Sequence, residues 1–400
     1  MTTLTIQVGQ CGNQLGASLF DTLYLNTKDI KRDVFFDAHD RARAVLVDME
    51  PKVIDRCLSR SSGSGWTYDR YSAFSMQSGA GNNWAFGFNH FGPRIKQDVS
   101  DRIRRQMEMS DRTDAVVILK STAGGTGSGV GAYIQQMLGG KLPIMTVELW
   151  PFVQGEVCVQ TYNTALSLAA GQEFSDLVVA FENSAMQEFA RTRLGIVRPT
   201  FHDINAIVAN HIAHQLIPSA TGSTSSVISH LSCMPDFKLA TARFLPQSTA
   251  VQFQTDEWCG LVQGLGGMLN SGRVIDFDRG RSPLSNKVLT ANICLRGDFA
   301  SALDLKPLLS NKPLFSSRAV DPVRVVSDKS TRFQGYQKSC SAIAVDQHPV
   351  HMLQVMAAKA QVMLNKNAYV HLYEKHQISK HDLCEAVVSM HETVDRYRNL

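Results

Sequence analysis

The stretch "STAGGTGSGVGAY" (Ser121–Tyr133) puts five glycines into the eight residues 124–131, directly behind the apolar run "AVVIL" at 115–119. Glycine loses more conformational freedom on folding than any other residue, so a run this dense needs a compensating role. A glycine-rich turn between a strand and a helix N-terminus leaves backbone N–H groups open to an anion, and the helix dipole adds favourable charge. The stretch therefore reads as a phosphate-binding turn. A flexible turn without a ligand is the bland alternative.

Outward from this turn, apolar strands alternate with amphipathic helices. Residues 4–8, 42–48, 115–119, "LPIMTVELW" and "DLVVAF" read as strands. "CGNQLGASLFDTLY" carries Leu15, Leu19 and Leu23 at helical spacing, and the helix from Pro93 lines up Ile95, Val99, Ile103 and Met107. Strands apolar throughout and separated by helices predict a parallel sheet covered on both faces. "HDINAIVANHIAHQL" predicts a long helix over about 202–216, and the Gly/Ser/Thr-rich "PSATGSTSS" (218–226) then breaks the pattern. Short strands follow, among them "AVQFQT" and "LTANICLRG", and helices dominate from His348 onward. The fold class is α/β. A doubly wound parallel-sheet nucleotide-binding domain occupies 1–218, a second α/β domain 219–347 and a C-terminal helical segment 348–400.

Composition excludes several function classes. The chain of 400 residues is 44% hydrophobic, with a formal net charge of +4, so neither nucleic acid nor a membrane surface is demanded as partner. No apolar run is long enough to span a bilayer, and "MTTLTIQVGQ" does not read as a signal peptide. The eight cysteines form no CxxC pair, which predicts reduced thiols in the cytosol. His211 and His214 have helical spacing for a metal pair but no third ligand, so they read as packing residues. The same holds for Met352, Met356 and Met363.

Other polar loops also fall at predicted strand ends: "GQCGNQ" (9–14), "DMEP" (48–51) and "SGAGNNW" (78–84). Asp48 and Glu50 are hard oxygen ligands suited to Mg²⁺ beside a triphosphate. There is no P-loop lysine. A loose G-x-G-x-x-A, at Gly127, Gly129 and Ala132 with Glu148 downstream, leaves an NAD-type dinucleotide site and an oxidoreductase open.

The loops "GQCGNQ", "SGAGNNW" and "GGTGSG", in this order and spacing, resemble the tubulin family. The similarity continues through "QTYNTALS", "RPTFHDIN" and "NKNAYVHLYEKHQIS" to the final helix. "RAVLVDMEPKVI", "WPFVQGEVCVQTYN" and "GNNWAFGFNHFGPR" are more similar to the delta-tubulin branch than to alpha, beta or gamma. The resemblance implies GTP or GDP with Mg²⁺. Ala123, Gly124, Gly125, Thr126, Gly127 and Ser128 would cradle the phosphates, with Ala123 standing where alpha and beta members have glycine. It implies Gln10 near the terminal phosphates, Cys11 near sugar and base, and Gln14 in the same loop. Asp48 and Glu50 would serve the metal, and Ala80, Gly81 and Asn82 the γ-phosphate. Ser121 and Glu156 would lie near the ribose and α-phosphate, with Gln160 replacing a common glutamate. Asn183 and Asn205 would recognise guanine, and Phe201 would stack in place of a tyrosine.

The resemblance also implies partners: other tubulin subunits met head to tail, and microtubule- or centriole-associated proteins. It implies a cytoplasmic, cytoskeletal place at the centriole or basal body. In the family, the next subunit's acidic residue positions the hydrolytic water. Here Ser225 or Ser226 holds that place, with no acid before Asp236. A serine replaces a carboxylate poorly in activating water, so GTP binding with a weak capacity to trigger hydrolysis is expected, and no catalytic residue is assigned. The chain ends in "DRYRNL" rather than an acidic tail. A structural pseudo-GTPase is a further alternative.

Overall fold

The computed structural model describes residues 1–28, 30–61, 63–155, 157–219, 222–247, 257–275, 286–298, 312–329 and 332–400. The predicted strand "AVQFQT" lies outside them. Ten strands form one sheet: β1 (Thr2–Val8), β2 (Ala44–Asp48), β3 (Ala73–Ser75), β4 (Thr113–Ser121), β5 (Ile144–Trp150), β6 (Leu177–Glu182), β7 (Leu239–Leu245), β8 (Val288–Gly297), β9 (Val323–Asp328) and β10 (Lys338–Asp346). Their spatial order is β9-β8-β10-β7-β6-β5-β4-β1-β2-β3. Every pairing from β7 to β3 is parallel, and β10 alone runs antiparallel to its neighbours β7 and β8.

The burial of β4 explains its unbroken apolar run. Val116 and Ile118 point into a cluster with Ile95, Val99 and Ile103 of α3 (Gly92–Glu108) and Ile134 of α4 (Gly131–Leu138). Ala115, Val117 and Leu119 point the opposite way, into the cluster holding Leu15, Leu19 and Leu23 of α1 (Gly9–Asn26). Alternate side chains of a strand leave opposite faces, so a strand sandwiched by helices must be apolar at every position. Among the described residues helices α2 (Pro51–Ser61), α5 (Gln160–Phe174), α6 (Asn183–Thr192), α7 (Phe201–Leu216), α8 (Thr224–Leu231), α9 (Trp258–Ser271), α10 (Val350–Asn365), α11 (Val370–Glu374) and α12 (Lys380–Arg398) follow, beside a single turn of helix at Ile30–Asp33. Among the described residues no helix is long and apolar enough to cross a membrane.

Two local expectations are corrected. "GQCGNQ" is not a loop: Gly9 takes φ +74°, the left-handed region open to glycine, and turns the chain from β1 straight into α1. The predicted strand 42–48 is split, with Arg41–Ala42 pairing Thr67–Tyr68 in a small separate sheet.

Helix α7 is fixed at both ends. Thr200 and Asp203 form a reciprocal capping box at its start. At its end the buried Arg296 guanidinium donates to the carbonyls of His214 and Ile217. Its two histidines are core residues: His211 hydrogen-bonds the Ile207 carbonyl through Nδ1 at 2.8 Å, and His214 meets Ser341 Oγ at 2.6 Å and Ser339 Oγ at 3.0 Å. Burial pushes His211 down to about 4, against its bond to Ile207. Burial, followed by the charges of Arg296 and His211, pushes His214 well below its ordinary value.

Both rings are thus neutral in the fold where the unfolded chain takes up protons, so stability is full above pH ~6.5 and falls with acidification. Urea denaturation is expected to show His211→Leu losing about 1 kcal/mol less stability than the wild type between pH 7.5 and 5.5, a comparison in which the other titrating groups cancel.

Candidate nucleotide-binding site

A cleft of about 570 Å³ opens at the C-terminal ends of β1, β2, β4, β5 and β6. Ligands of open α/β sheets bind at this edge, where the strand ends leave a crevice between turns. Gln10, Cys11, Gln14, Asp48, Glu50, Ala80, Gly81, Asn82, Ser121, Ala123, Gly124, Gly125, Thr126, Gly127, Gln160, Asn183, Phe201 and Asn205 line it together. Two predicted residues stand apart. Ser128 is fully buried behind its turn, where its hydroxyl donates to the Gly124 carbonyl and closes the loop. Glu156 lies outside the described residues.

The glycines of the turn serve mainly its neighbours. A Cβ on Gly129 would sit 2.2 Å from the Trp84 carbonyl oxygen, and one on Gly125 would sit 2.6 Å from that of Ala80. Gly124 differs: the nearest atom to its Cβ position is Asn82 Oδ1 at 3.7 Å, so this residue faces open cleft. The glycines therefore let the 78–84 and 122–129 turns pack backbone to backbone, and the packed pair forms the wall of the cleft. The sequence reading missed this packing role, and it missed Val8, Val53, Pro151, Phe152, Gly155 and Val157 in the lining. "WPF" at the end of a predicted strand was the available signal. The Phe152 ring lies 6.3 Å from that of Phe201, which is half exposed at the mouth.

Two buried acceptors of cleft-lining residues have no hydrogen-bond partner among the described residues: Asp48 Oδ2 and Asn183 Oδ1. A buried acceptor left unmade costs about 1–3 kcal/mol, so a site that keeps two of them is suited to a ligand that donates or coordinates. Asp48 Oδ1 is already held by the N–H groups of Met49, at 2.7 Å, and Glu50, at 3.3 Å. Burial pushes the Asp48 carboxyl up to about 6, further raised by the nearby Glu50 charge and opposed by those two N–H bonds. A divalent cation would reverse that shift, and an orphaned carboxylate oxygen fits a hard ion. Burial pushes the Cys11 thiol to about 12, so it is neutral and no nucleophile. Gln160 donates its amide to the Phe152 carbonyl at 2.7 Å, both residues lining the cleft.

The dinucleotide alternative fails on geometry. Glu148, which would have to reach a ribose, is fully buried, with the Lys120 ammonium at 3.2 Å. Gly129 is covered by Trp84.

A fold of this kind, with its cleft at the strand ends, defines a nucleotide-binding α/β protein. The family described as Tubulin/FtsZ family, GTPase domain, matches residues 2–191. The whole chain aligns with the "Tubulin delta chain" of Macaca fascicularis and of Homo sapiens at 31% identity, and of Mus musculus at 30%. Each alignment runs over 455 residues and covers 100% of both chains. The chain belongs to the tubulin family, whose GTPase domain implies guanine-nucleotide binding and whose subunits imply other tubulins as partners.

Gly129→Ala is expected to destabilise the protein by about 3 kcal/mol, the upper end for an overpacked methyl, in thermal or chemical melting, because a backbone carbonyl cannot withdraw as a side-chain tip can.

Proposed function

We propose that the chain is a GTP-binding tubulin subunit of the delta kind, acting in the assembly or maintenance of centriole and basal-body triplet microtubules. The observation that carries the nucleotide reading is the pair of buried acceptors without a partner among the described residues, Asp48 Oδ2 and Asn183 Oδ1, on residues that line a cleft walled by glycine turns. In this reading Asn183 and Asn205 take the guanine edge, since an amide offers both a donor and an acceptor. Thr126 and the N–H groups of 123–127 hold phosphate oxygens, Ala80–Asn82 meet the terminal phosphate, and Phe201 stacks on the base. Asp48 and Glu50, facing the same end, would hold Mg²⁺, which when bound neutralises phosphate charge.

A weak capacity to trigger hydrolysis belongs to the same reading. Ser226 is taken up in the cap of α8: its hydroxyl donates to the Ser223 carbonyl at 2.7 Å. Ser225 donates its N–H and hydroxyl to Asp114, at 3.1 and 2.8 Å, so that carboxylate is also engaged. Asp114 lies at the start of β4 and Ser121, at the cleft, ends it. A head-to-tail neighbour would therefore meet the cleft with the α8 end of its own sheet, where no uncommitted acid is offered at the aligned position.

Chromatography of nucleotide released from the purified chain is expected to show guanine nucleotide. After stripping, calorimetry is expected to show binding of GTP and GDP, weakened about 10- to 100-fold in Asn205→Ala. No heat with either nucleotide would overturn the reading. Ser226→Glu is expected to raise neighbour-stimulated turnover on the order of 100-fold, and unchanged turnover would refute the hydrolysis argument. Imaging in cells with and without triplet microtubules tests the place of action.

A further inference from the structure

The two turns that wall the cleft meet on one side chain, Asn163 of α5, which is fully buried. Its Nδ2 donates to the carbonyls of Asn82, at 2.8 Å, and Ala123, at 2.7 Å. Its Oδ1 accepts from the Trp84 N–H at 2.9 Å and from the Tyr373 hydroxyl at 2.7 Å. Both donors and both lone pairs of the amide are thereby used. The bond to Asn82 matters in particular. Gly81 and Asn82 both take left-handed backbone, φ +56° and +51°, a region that a residue with a side chain enters at some cost. Asn163 pins the carbonyl of that strained residue to the turn opposite.

Tyr373 reaches this point from α11, in the C-terminal helical segment, with its ring edge-on to Tyr162 at 5.4 Å. The same segment holds the 83–89 stretch at two further places. Asn83 Nδ2 donates to the Leu372 carbonyl at 2.9 Å, and Asn89 Nδ2 to that of His376 at 2.7 Å. The Phe86 ring stacks on His376 at 4.5 Å. Residues 84–91 are helical and run straight into α3, so these contacts and the glycine turn add to that helix's packing on the sheet in placing the 82–89 stretch.

We propose that Asn163 and Tyr373 are positioning residues for the nucleotide's terminal phosphate. They set the span between the 80–82 turn and the 123–127 turn, and they couple that span to α11. Occupancy of the terminal phosphate and docking of residues 370–378 then favour each other, each strengthening the other by the same factor. The proposal rests on the guanine-nucleotide reading of the cleft.

The test uses the full chain stripped of nucleotide, titrated with GTP and with GDP as wild type, Tyr373→Phe and Asn163→Asp. Hydrogen exchange over 370–378 is followed in each state. Tyr373→Phe removes one hydroxyl and is expected to weaken GTP about fivefold while leaving GDP nearly unchanged. Asn163→Asp, which sets a carboxylate against two carbonyls, is expected to weaken GTP by more. In the wild type GTP should slow exchange over 370–378 relative to GDP, and in Tyr373→Phe this difference should vanish. Wild-type affinities and exchange in Tyr373→Phe overturn the coupling alone. Equal loss of GTP and GDP together with a lower melting point overturns it too, since that marks a merely structural role. A wild type that binds neither nucleotide overturns the cleft's reading and this proposal with it. Should Asn163→Asp fail to fold, Tyr373→Phe decides.

Discussion

The site depends on a packing constraint in the backbone: three turns occupy a volume with no room for Cβ atoms between them. A Cβ on Gly9 would meet the Gly127 nitrogen at 2.9 Å, one on Gly125 the Ala80 carbonyl, and one on Gly129 the Trp84 carbonyl. Glycine's conformational cost is therefore offset by contacts inside the protein, before any ligand arrives. The turns order one another, and the cleft is their common outer surface. A wall built this way holds its N–H groups in place without waiting for a phosphate to gather them. Preorganisation of that kind lets binding free energy be used for discrimination rather than for ordering.

Below the turns the Lys120 ammonium is held fast: it meets Glu148 at 3.2 Å and donates to Gln135 and Ser167, both at 2.8 Å. A buried ion pair adds little to stability when compared with apolar packing, but removing one partner is costly. The Lys120 network thus fixes the end of β4, directly before Ser121.

Much of this was legible in the chain because the sheet is buried on both faces. Runs such as "AVVIL" and "LVVAF" leave little choice of partner, and the spacing of Leu15, Leu19 and Leu23 places α1 on them. The positions of the loops at strand ends then follow from parallel topology. Other features resisted reading because they depend on long-range contacts. Gly9 was read as part of a loop, since nothing local says that one left-handed residue can replace a loop. Ser128 was read as a phosphate ligand, since a hydroxyl in a glycine turn looks the same whether it faces out or back toward Gly124. Gln160 lines the cleft as read, and nothing local shows that its amide also braces Phe152. Asn163 was quoted within "QTYNTALS" without a role, because its four partners come from three separate parts of the chain: the 78–84 turn, the glycine turn and α11.

Helix α7 carries the last step of the argument. Its first turn puts Phe201 and Asn205 on the cleft, and its last turn is bound into the far half of the sheet. Gln215 donates to Ser341 Oγ at 2.7 Å and accepts from Asn292 at 2.8 Å, while Arg296 closes the final carbonyls. A helix capped at both ends and buried along its length behaves as a rod, with about 1.5 Å of rise per residue. Displacement of Asn205 by a ligand cannot be absorbed by bending a frayed end, because neither end is frayed. It must move β8 and β10 or be resisted by them. The cleft and the second half of the sheet are therefore one mechanical unit, joined by α7 on one side of the cleft and by Asn163 with Tyr373 on the other.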